Sequence, residues 1–202
     1  MIKLFYVQNT RASRPRWMLE ELGVPYELVR LDPAKGENRT AGYLGVHPLG
    51  QVPALVEGDT TVFESAAICA YLADRFPERR LAPAPESPAR AAYYQWLFFG
   101  TASLEPPVAD YAHHTRAWPE PRRVPAIAEE AQQTFARTAS VLETHLAGRQ
   151  FLVGDQLSAA DVIVASILGW AHSMRLLQGH PGLAAWSKGM SKRPAFQRSR
   201  AD

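Results

Sequence analysis

The 202-residue sequence has little cysteine, no long apolar run and no marked excess of charge of either sign. Cys69 is its only cysteine, so a disulfide within the chain is impossible and a reducing, cytoplasmic compartment is expected. No apolar run reaches the ~18 residues that a membrane span needs. The apolar stretch within the opening residues, MIKLFYVQNTR, is too short for the hydrophobic region of a secretory leader. We therefore expect no membrane association.

The charges are nearly balanced, with 22 Lys and Arg against 20 Asp and Glu and a formal net charge of +2. Divided after Phe76, the chain has 8 basic and 9 acidic residues in its first part and 14 and 11 in the remainder. Neither part has the basic bias of a nucleic-acid binder. The six histidines show no metal-ligand spacing. We expect neither a nucleic-acid partner nor a metal.

The first part alternates strand-like and helix-like segments. Residues 2–7 and 26–31 are rich in β-branched and aromatic side chains, which is typical of strands. Between them lies a predicted helix with Pro15 in its first turn and Gly23 at its end. This order predicts a parallel crossover unit.

Further segments complete this α/β domain. We predict a short helix over 41–44, two strands over 52–56 and 60–63 joined by a Gly58 turn, and an amphipathic helix over 64–76. The predicted order is βαβαββα.

Four prolines in residues 77–88 predict a linker. The rest shows helical periodicity interrupted by proline and glycine, with predicted helices over 89–115, 125–147, 159–177 and 181–190. We therefore predict an α/β domain over 1–76 and an all-helical domain over 89–202. Ser158 followed by Asp161 is a capping-box variant at the start of one of these helices.

The segment HPLGQVPAL, residues 47–55, could bind a ligand through its backbone. Pro53 cannot donate to a strand ladder, so the strand is interrupted or lies at an edge there. A cis Val52–Pro53 bond would turn the Val52 N–H and C=O outward, free to pair with an extended peptide. An ordinary trans proline on an edge strand is the alternative.

Glu64 and Ser65 stand where the following helix begins. A helix N-terminus attracts a carboxylate, to which Ser65 could add a hydroxyl donor, and Glu64 could accept from an ammonium group. The alternative is that either side chain only caps the helix.

With these elements in this order, the sequence resembles the bacterial-type cytosolic glutathione transferases. Matching motifs run along the chain: RWMLEELGVPYE, HPLGQVPAL, VFESAAICAYLADRF, QWLFFGTASLEPP, FLVGDQLSAADV and AAWSKGMSKRPAFQR. The resemblance implies a thioredoxin-like first domain, a homodimer and glutathione as co-substrate. It also implies conjugation of glutathione to a small hydrophobic electrophile, whose pocket the helical domain contributes to.

The family's glutathione contacts map onto six residues of this sequence. Val52, beside a cis Pro53, would pair with the cysteinyl backbone. Glu64 and Ser65 would hold the γ-glutamyl end, and Gln51 and Arg39 would reach the glycyl carboxylate.

The bound thiol must ionise, because the thiolate is the nucleophile. In the family, the residue that donates to the sulfur is usually a serine, tyrosine or cysteine. This sequence departs from the serine pattern and has no cysteine in this region, whereas Tyr6 lies in the strand where a tyrosine-type enzyme would carry its phenol and stays open as a donor. Thr10 is the first candidate donor and Asn9 the second. Ser13 is the expected N-cap, and Tyr6 is expected to be a packed strand aromatic.

Two other functions stay open on the sequence alone. One is a glutathione-dependent isomerase, peroxidase or disulfide reductase. The other is a non-catalytic ligand- or partner-binding module.

Overall fold

The computed structural model describes residues 1–201, which divide into two compact units. One unit is Met1–Ala82 together with the residues from Arg193 onward, and the other is Pro83–Lys192. The end of the chain therefore groups with the first unit, although the sequence analysis assigned it to the helical domain.

The first unit is built on a four-stranded mixed sheet. Its strands are β1 (Ile2–Tyr6), β2 (Tyr26–Arg30), β3 (Ala54–Glu57) and β4 (Thr60–Phe63). The strand order is β2-β1-β3-β4, with β1 parallel to β2 and antiparallel to β3. Gly58, at a φ of 58°, makes the tight turn between β3 and β4.

The helices of this unit complete the predicted βαβαββα order, which is confirmed. They are α1 (Ser13–Leu22), α2 (Ala41–Leu44) and α3 (Ser65–Arg75). Gly23 ends α1 as predicted, with a φ of 64° and its N–H donated to the Leu19 carbonyl at 3.0 Å. Helices α1 and α3 pack on each other. The core holds fully buried Leu4, Trp17, Leu55, Ile68 and Leu72.

A last helix, α9 (Pro194–Arg200), packs on α1 and was not predicted. The Phe196 ring meets the Trp17 ring edge-on, with centroids 4.9 Å apart. Arg193 donates to both carboxylate oxygens of Glu21, at 2.6 and 2.9 Å. Such bidentate pairs are specific as well as strong, and they give a reason why the chain's end belongs to the first unit.

The second unit is helical, as predicted. Its α-helices are α4 (Ala89–Phe98), α5 (Glu105–Ala112), α6 (Pro125–Leu146), α7 (Ala159–Ser173) and α8 (Pro181–Ser191). The helix predicted over 89–115 is instead divided by π-helical turns at Phe99–Leu104 and His113–Ala117. The first of these lies just before Pro106 and Pro107, which have no N–H to donate to the preceding turn. In residues 1–201, no helix is long and apolar enough to cross a membrane.

The predicted capping box at the start of α7 is present. The fully buried Asp161 carboxylate accepts from the Ser158 N–H at 2.8 Å and the Ser158 hydroxyl at 2.7 Å. It also accepts from the Leu152 N–H at 2.8 Å, which the sequence pattern did not show. One carboxylate thus joins the helix start to the preceding loop.

Candidate functional site

The loop between β1 and α1 orients the residues that were candidates to serve a thiol. The Thr10 hydroxyl donates to the Val7 carbonyl at 2.6 Å and accepts from the Ala12 N–H at 3.2 Å. The Thr10 hydroxyl proton is therefore already donated to a backbone acceptor within the loop. Asn9 is exposed at a φ of 59°, and among residues 1–201 its side-chain amide makes no hydrogen bond.

Two other candidates in this region have structural roles. Ser13 is not the N-cap, which is Ala12; Ser13 is the first residue of α1, and its hydroxyl donates to the Thr10 carbonyl at 3.0 Å. The sequence-based assignment of Ser13 was therefore wrong. Tyr6 is a buried strand aromatic, as expected, with the Arg16 guanidinium 5.2 Å from its ring centroid.

The segment before β3 forms the opposite side of the site. The Val52–Pro53 peptide bond is cis. Val52 lies before Ala54, the first residue of β3, so its backbone is outside the strand ladder. The Gln51 carbonyl accepts from the Tyr43 hydroxyl, while the Gln51 side chain is exposed. Burial raises the pKa of Tyr43 to about 12, so this donor stays protonated.

Gly50 brings two chain segments close together. It has a φ of 60°, and a Cβ atom there would lie 2.5 Å from the Asn38 carbonyl oxygen. The Asn38 amide donates to the Gly50 carbonyl at 2.7 Å, and Arg39 donates to the Leu49 carbonyl at 3.1 Å. These contacts hold the Arg39 side chain beside Gly50 at one end of the site.

The start of α3 forms the other end of the site. Glu64 is the N-cap residue at a φ of 71°, yet its side chain makes no capping hydrogen bond and is exposed. Ser65 is buried, and its Oγ accepts from the Arg14 Nη1 at 3.1 Å. The interpretation that either side chain only caps the helix is therefore wrong. Non-glycine residues at positive φ are uncommon and cluster at functional sites; Asn9 and Glu64 are two of them.

These segments enclose one cleft of about 470 Å³. The eight residues predicted to bind glutathione or to donate first or second to its sulfur all line it: Asn9, Thr10, Arg39, Gln51, Val52, Pro53, Glu64 and Ser65. The other two candidates, Tyr6 and Ser13, are not among its lining residues. A backbone segment outside the strand ladder, a buried hydroxyl at a helix start, an exposed carboxylate and a guanidinium suit an extended ligand that carries both signs of charge.

Comparison with known proteins agrees with this geometry. The family described as "Glutathione S-transferase, N-terminal domain" matches residues 1–74, and "Glutathione S-transferase, C-terminal domain" matches residues 125–189. The chain belongs to the glutathione S-transferase family. It is therefore a glutathione transferase, with glutathione as its co-substrate.

Relatives of this glutathione transferase match it along nearly its whole length. Glutathione S-transferase 3 of Zea mays is 30% identical over 188 residues, covering 90% of this chain and 85% of the relative. The disulfide-bond oxidoreductase YfcG of Escherichia coli is 28% identical, covering 96% and 92%. The crystal structure of the glutathione transferase URE2P8 from Phanerochaete chrysosporium with oxidized glutathione has a TM-score of 0.86 at 27% identity, covering 98% and 92%.

The glutathione transferase cleft also has lining residues to which the sequence assigned no individual role: Val7, Arg11, Pro33, Asn38, His47 and Gly50, of which His47 and Gly50 lie in the segment HPLGQVPAL. His47 is buried, and its Nδ1 accepts from the Leu49 N–H at 3.3 Å. Asn38 is 12 residues from Gly50, so only the folded loop reveals its contact. The glycine in HPLGQVPAL was the one available signal, because tight backbone approaches favour glycine.

Cys69 takes no part in this cleft. It is fully buried inside α3, and burial raises the pKa of its thiol, which agrees with the structural role expected from the sequence. Across residues 1–201, no group of three or more His, Cys, Asp or Glu side chains could hold a metal ion.

Proposed function

We propose that this enzyme transfers the thiolate of glutathione onto small hydrophobic electrophiles. The observation that carries the proposal is the single cleft that brings the strand-edge backbone, the α3 start and the loop before α1 together. Glutathione is an extended tripeptide with two carboxylates and one ammonium group, and these segments offer partners for each.

The ligand would lie along the cleft in one direction. Val52, beside Pro53, would pair with the cysteinyl backbone. Glu64 would accept from the ammonium group, and Ser65 would donate to the carboxylate of the γ-glutamyl end. At the other end, Gln51 and Arg39 would reach the glycyl carboxylate. Arg39 lies beside Gly50, and Gln51 has an exposed side chain.

We further propose that Asn9, rather than Thr10, donates to the sulfur. Both residues line the cleft, but the Thr10 hydroxyl already donates to the Val7 carbonyl, whereas the exposed Asn9 side chain makes no hydrogen bond within residues 1–201. Because a hydrogen bond to a charged group contributes about 1.5–3 kcal/mol, one donor could lower the thiol pKa from about 8.5 by about one to two units. No general base is then required.

The test is calorimetry of glutathione binding followed by an assay of conjugation to an aromatic halide. Peroxide and disulfide reduction are measured beside it on the same preparation. Binding with conjugation as the dominant activity would support the proposal. Absence of glutathione binding would overturn it, and binding with no thiolate absorbance at neutral pH would favour a non-catalytic binding module.

Glutathione-dependent disulfide reduction is the second candidate. The thiol of Cys69 is buried and does not line the cleft, so disulfide reduction there would use glutathione sulfur alone. Two glutathione thiols would supply two electrons and two protons and become glutathione disulfide, while the S–S bond of the substrate disulfide breaks and its two sulfurs leave as thiols. The similarity to a disulfide-bond oxidoreductase and to a structure with oxidized glutathione supports this candidate.

We also propose that the protein is a homodimer in the cytoplasm. Leu49 is 61% exposed and Phe63 41% exposed on the first unit, which leaves apolar surface for a second copy to cover. Light scattering of the protein and of Leu49→Arg tests this: a dimer that the substitution dissociates supports it, and a monomeric parent protein contradicts it.

A further inference from the structure

Arg14 lies buried behind the start of α3. It is the second residue of α1, only 3% of its surface is exposed, and its Nη1 donates to the Ser65 Oγ at 3.1 Å. The two residues are 51 positions apart, so the packing of α1 on α3 brings them together. A guanidinium keeps its charge in any protein environment. A fixed positive charge therefore stands directly behind the serine that lines the cleft.

Ser65 both contacts this guanidinium and lines the cleft. The Ser65 hydroxyl oxygen accepts a hydrogen bond from the Arg14 guanidinium. Within the described part of the chain, the Ser65 hydroxyl proton has no acceptor. Ser65 lines the cleft, so an anion bound there is the available acceptor. A hydroxyl that accepts from a cation becomes a better donor, because successive hydrogen bonds polarise one another, and more so where water is excluded.

We propose that Arg14 is a positioning residue for the ligand's α-carboxylate, acting through the Ser65 hydroxyl. In this arrangement the Arg14 guanidinium donates to the Ser65 hydroxyl, and the hydroxyl donates to the ligand carboxylate. Arg14 itself does not contact the ligand. This inference rests on the proposed function, since it takes the γ-glutamyl end of glutathione to lie at Ser65. It assigns to Arg14 a part in selecting ligands with a carboxylate at this position.

The experiment compares two ligands on the full-length protein by calorimetry. One is glutathione, and the other is 4-aminobutyryl-cysteinyl-glycine, which lacks only the α-carboxylate. Arg14→Met removes the charge while keeping much of the side chain's bulk, and Arg14→Lys restores the charge. Arg14→Gln, a neutral side chain that can still donate, is the second variant if the methionine variant does not fold. Thermal unfolding of each variant is recorded beside binding.

We expect Arg14→Met to weaken glutathione binding about 10- to 100-fold, which is about 1.4–2.8 kcal/mol at 1.4 kcal/mol per tenfold. Binding of the analogue should change less than twofold, and Arg14→Lys should recover most of the lost affinity for glutathione. Arg14→Gln should weaken glutathione binding selectively in the same way.

Equal losses for the two ligands would show a merely structural role and overturn the inference, and so would unchanged binding of glutathione. Failure of the proposed function looks different: the unsubstituted protein would then not bind glutathione, or would bind both ligands equally well.

Discussion

Replacing Asn9 by alanine should raise the pKa of the bound glutathione thiol by about one to two units, the value of one hydrogen bond of about 1.5–3 kcal/mol to a charged group. Affinity should change little, because the backbone and carboxylate contacts proposed for the ligand lie elsewhere in the cleft. The φ of 59° at Asn9 would strain an alanine. Asn9→Gly, which removes the same amide without that strain, is therefore the second variant.

Thr10 gives the comparison that decides between the two candidates. Its hydroxyl holds the loop through Val7 and Ala12, so Thr10→Ala should lower the free energy of unfolding by about 1–3 kcal/mol. Its effect on the thiol pKa should be the smaller of the two. Thr10→Ser keeps the hydroxyl and is the matched control. The readout is the ultraviolet absorbance of the bound thiolate as a function of pH. An unchanged pKa in both Asn9 variants with a raised pKa in Thr10→Ala would refute this reasoning and make Thr10 the donor.

Three further predictions concern stability and the shape of the cleft. Asp161→Ala leaves the buried N–H groups of Leu152 and Ser158 without their acceptor, so chemical denaturation should show a loss of about 3–5 kcal/mol; an equally large loss in the exposed control Asp155→Ala would contradict it. Burial raises the pKa of Asp161 to about 6, above the value of about 3.9 in an unfolded chain. The native state therefore binds this proton more tightly, and the unfolding free energy of the parent protein relative to Asp161→Asn should rise as the pH falls from 7 to 4; a pH-independent difference would refute this. Gly50→Ala should weaken glutathione binding and lower the melting temperature more than Gly58→Ala, because both glycines have positive φ but only at Gly50 would a Cβ atom meet backbone, at 2.5 Å; equal effects would show that backbone conformation alone matters.

The elements of this fold could be predicted where short-range patterns specify them. Gly23 terminates α1 and Gly58 makes the β3–β4 turn, because both positions need a positive φ that glycine adopts without strain. The Ser158–Asp161 capping box could also be predicted, because its two residues are only three positions apart in the sequence. The π-helical turn before Pro106 and the docking of α9 were missed. Helical periodicity does not show a changed hydrogen-bond pattern. The contacts that hold α9 on α1 join residues far apart in the chain, such as Glu21 with Arg193 and Trp17 with Phe196.

What the sequence by itself determined is which chemical groups are present in local motifs: the Val52–Pro53 strand entry, and the Glu64–Ser65 helix start. The sequence left open whether the Val52–Pro53 bond is cis and whether Glu64 or Ser65 only caps the helix, and the structure decided both. Only the tertiary structure decided where the Thr10 proton points, that Asn38 reaches Gly50, and that Arg14 stands behind Ser65. The direction of a hydrogen bond and the contacts between distant residues depend on how helices and loops pack. The pattern of residues along the sequence does not specify that packing.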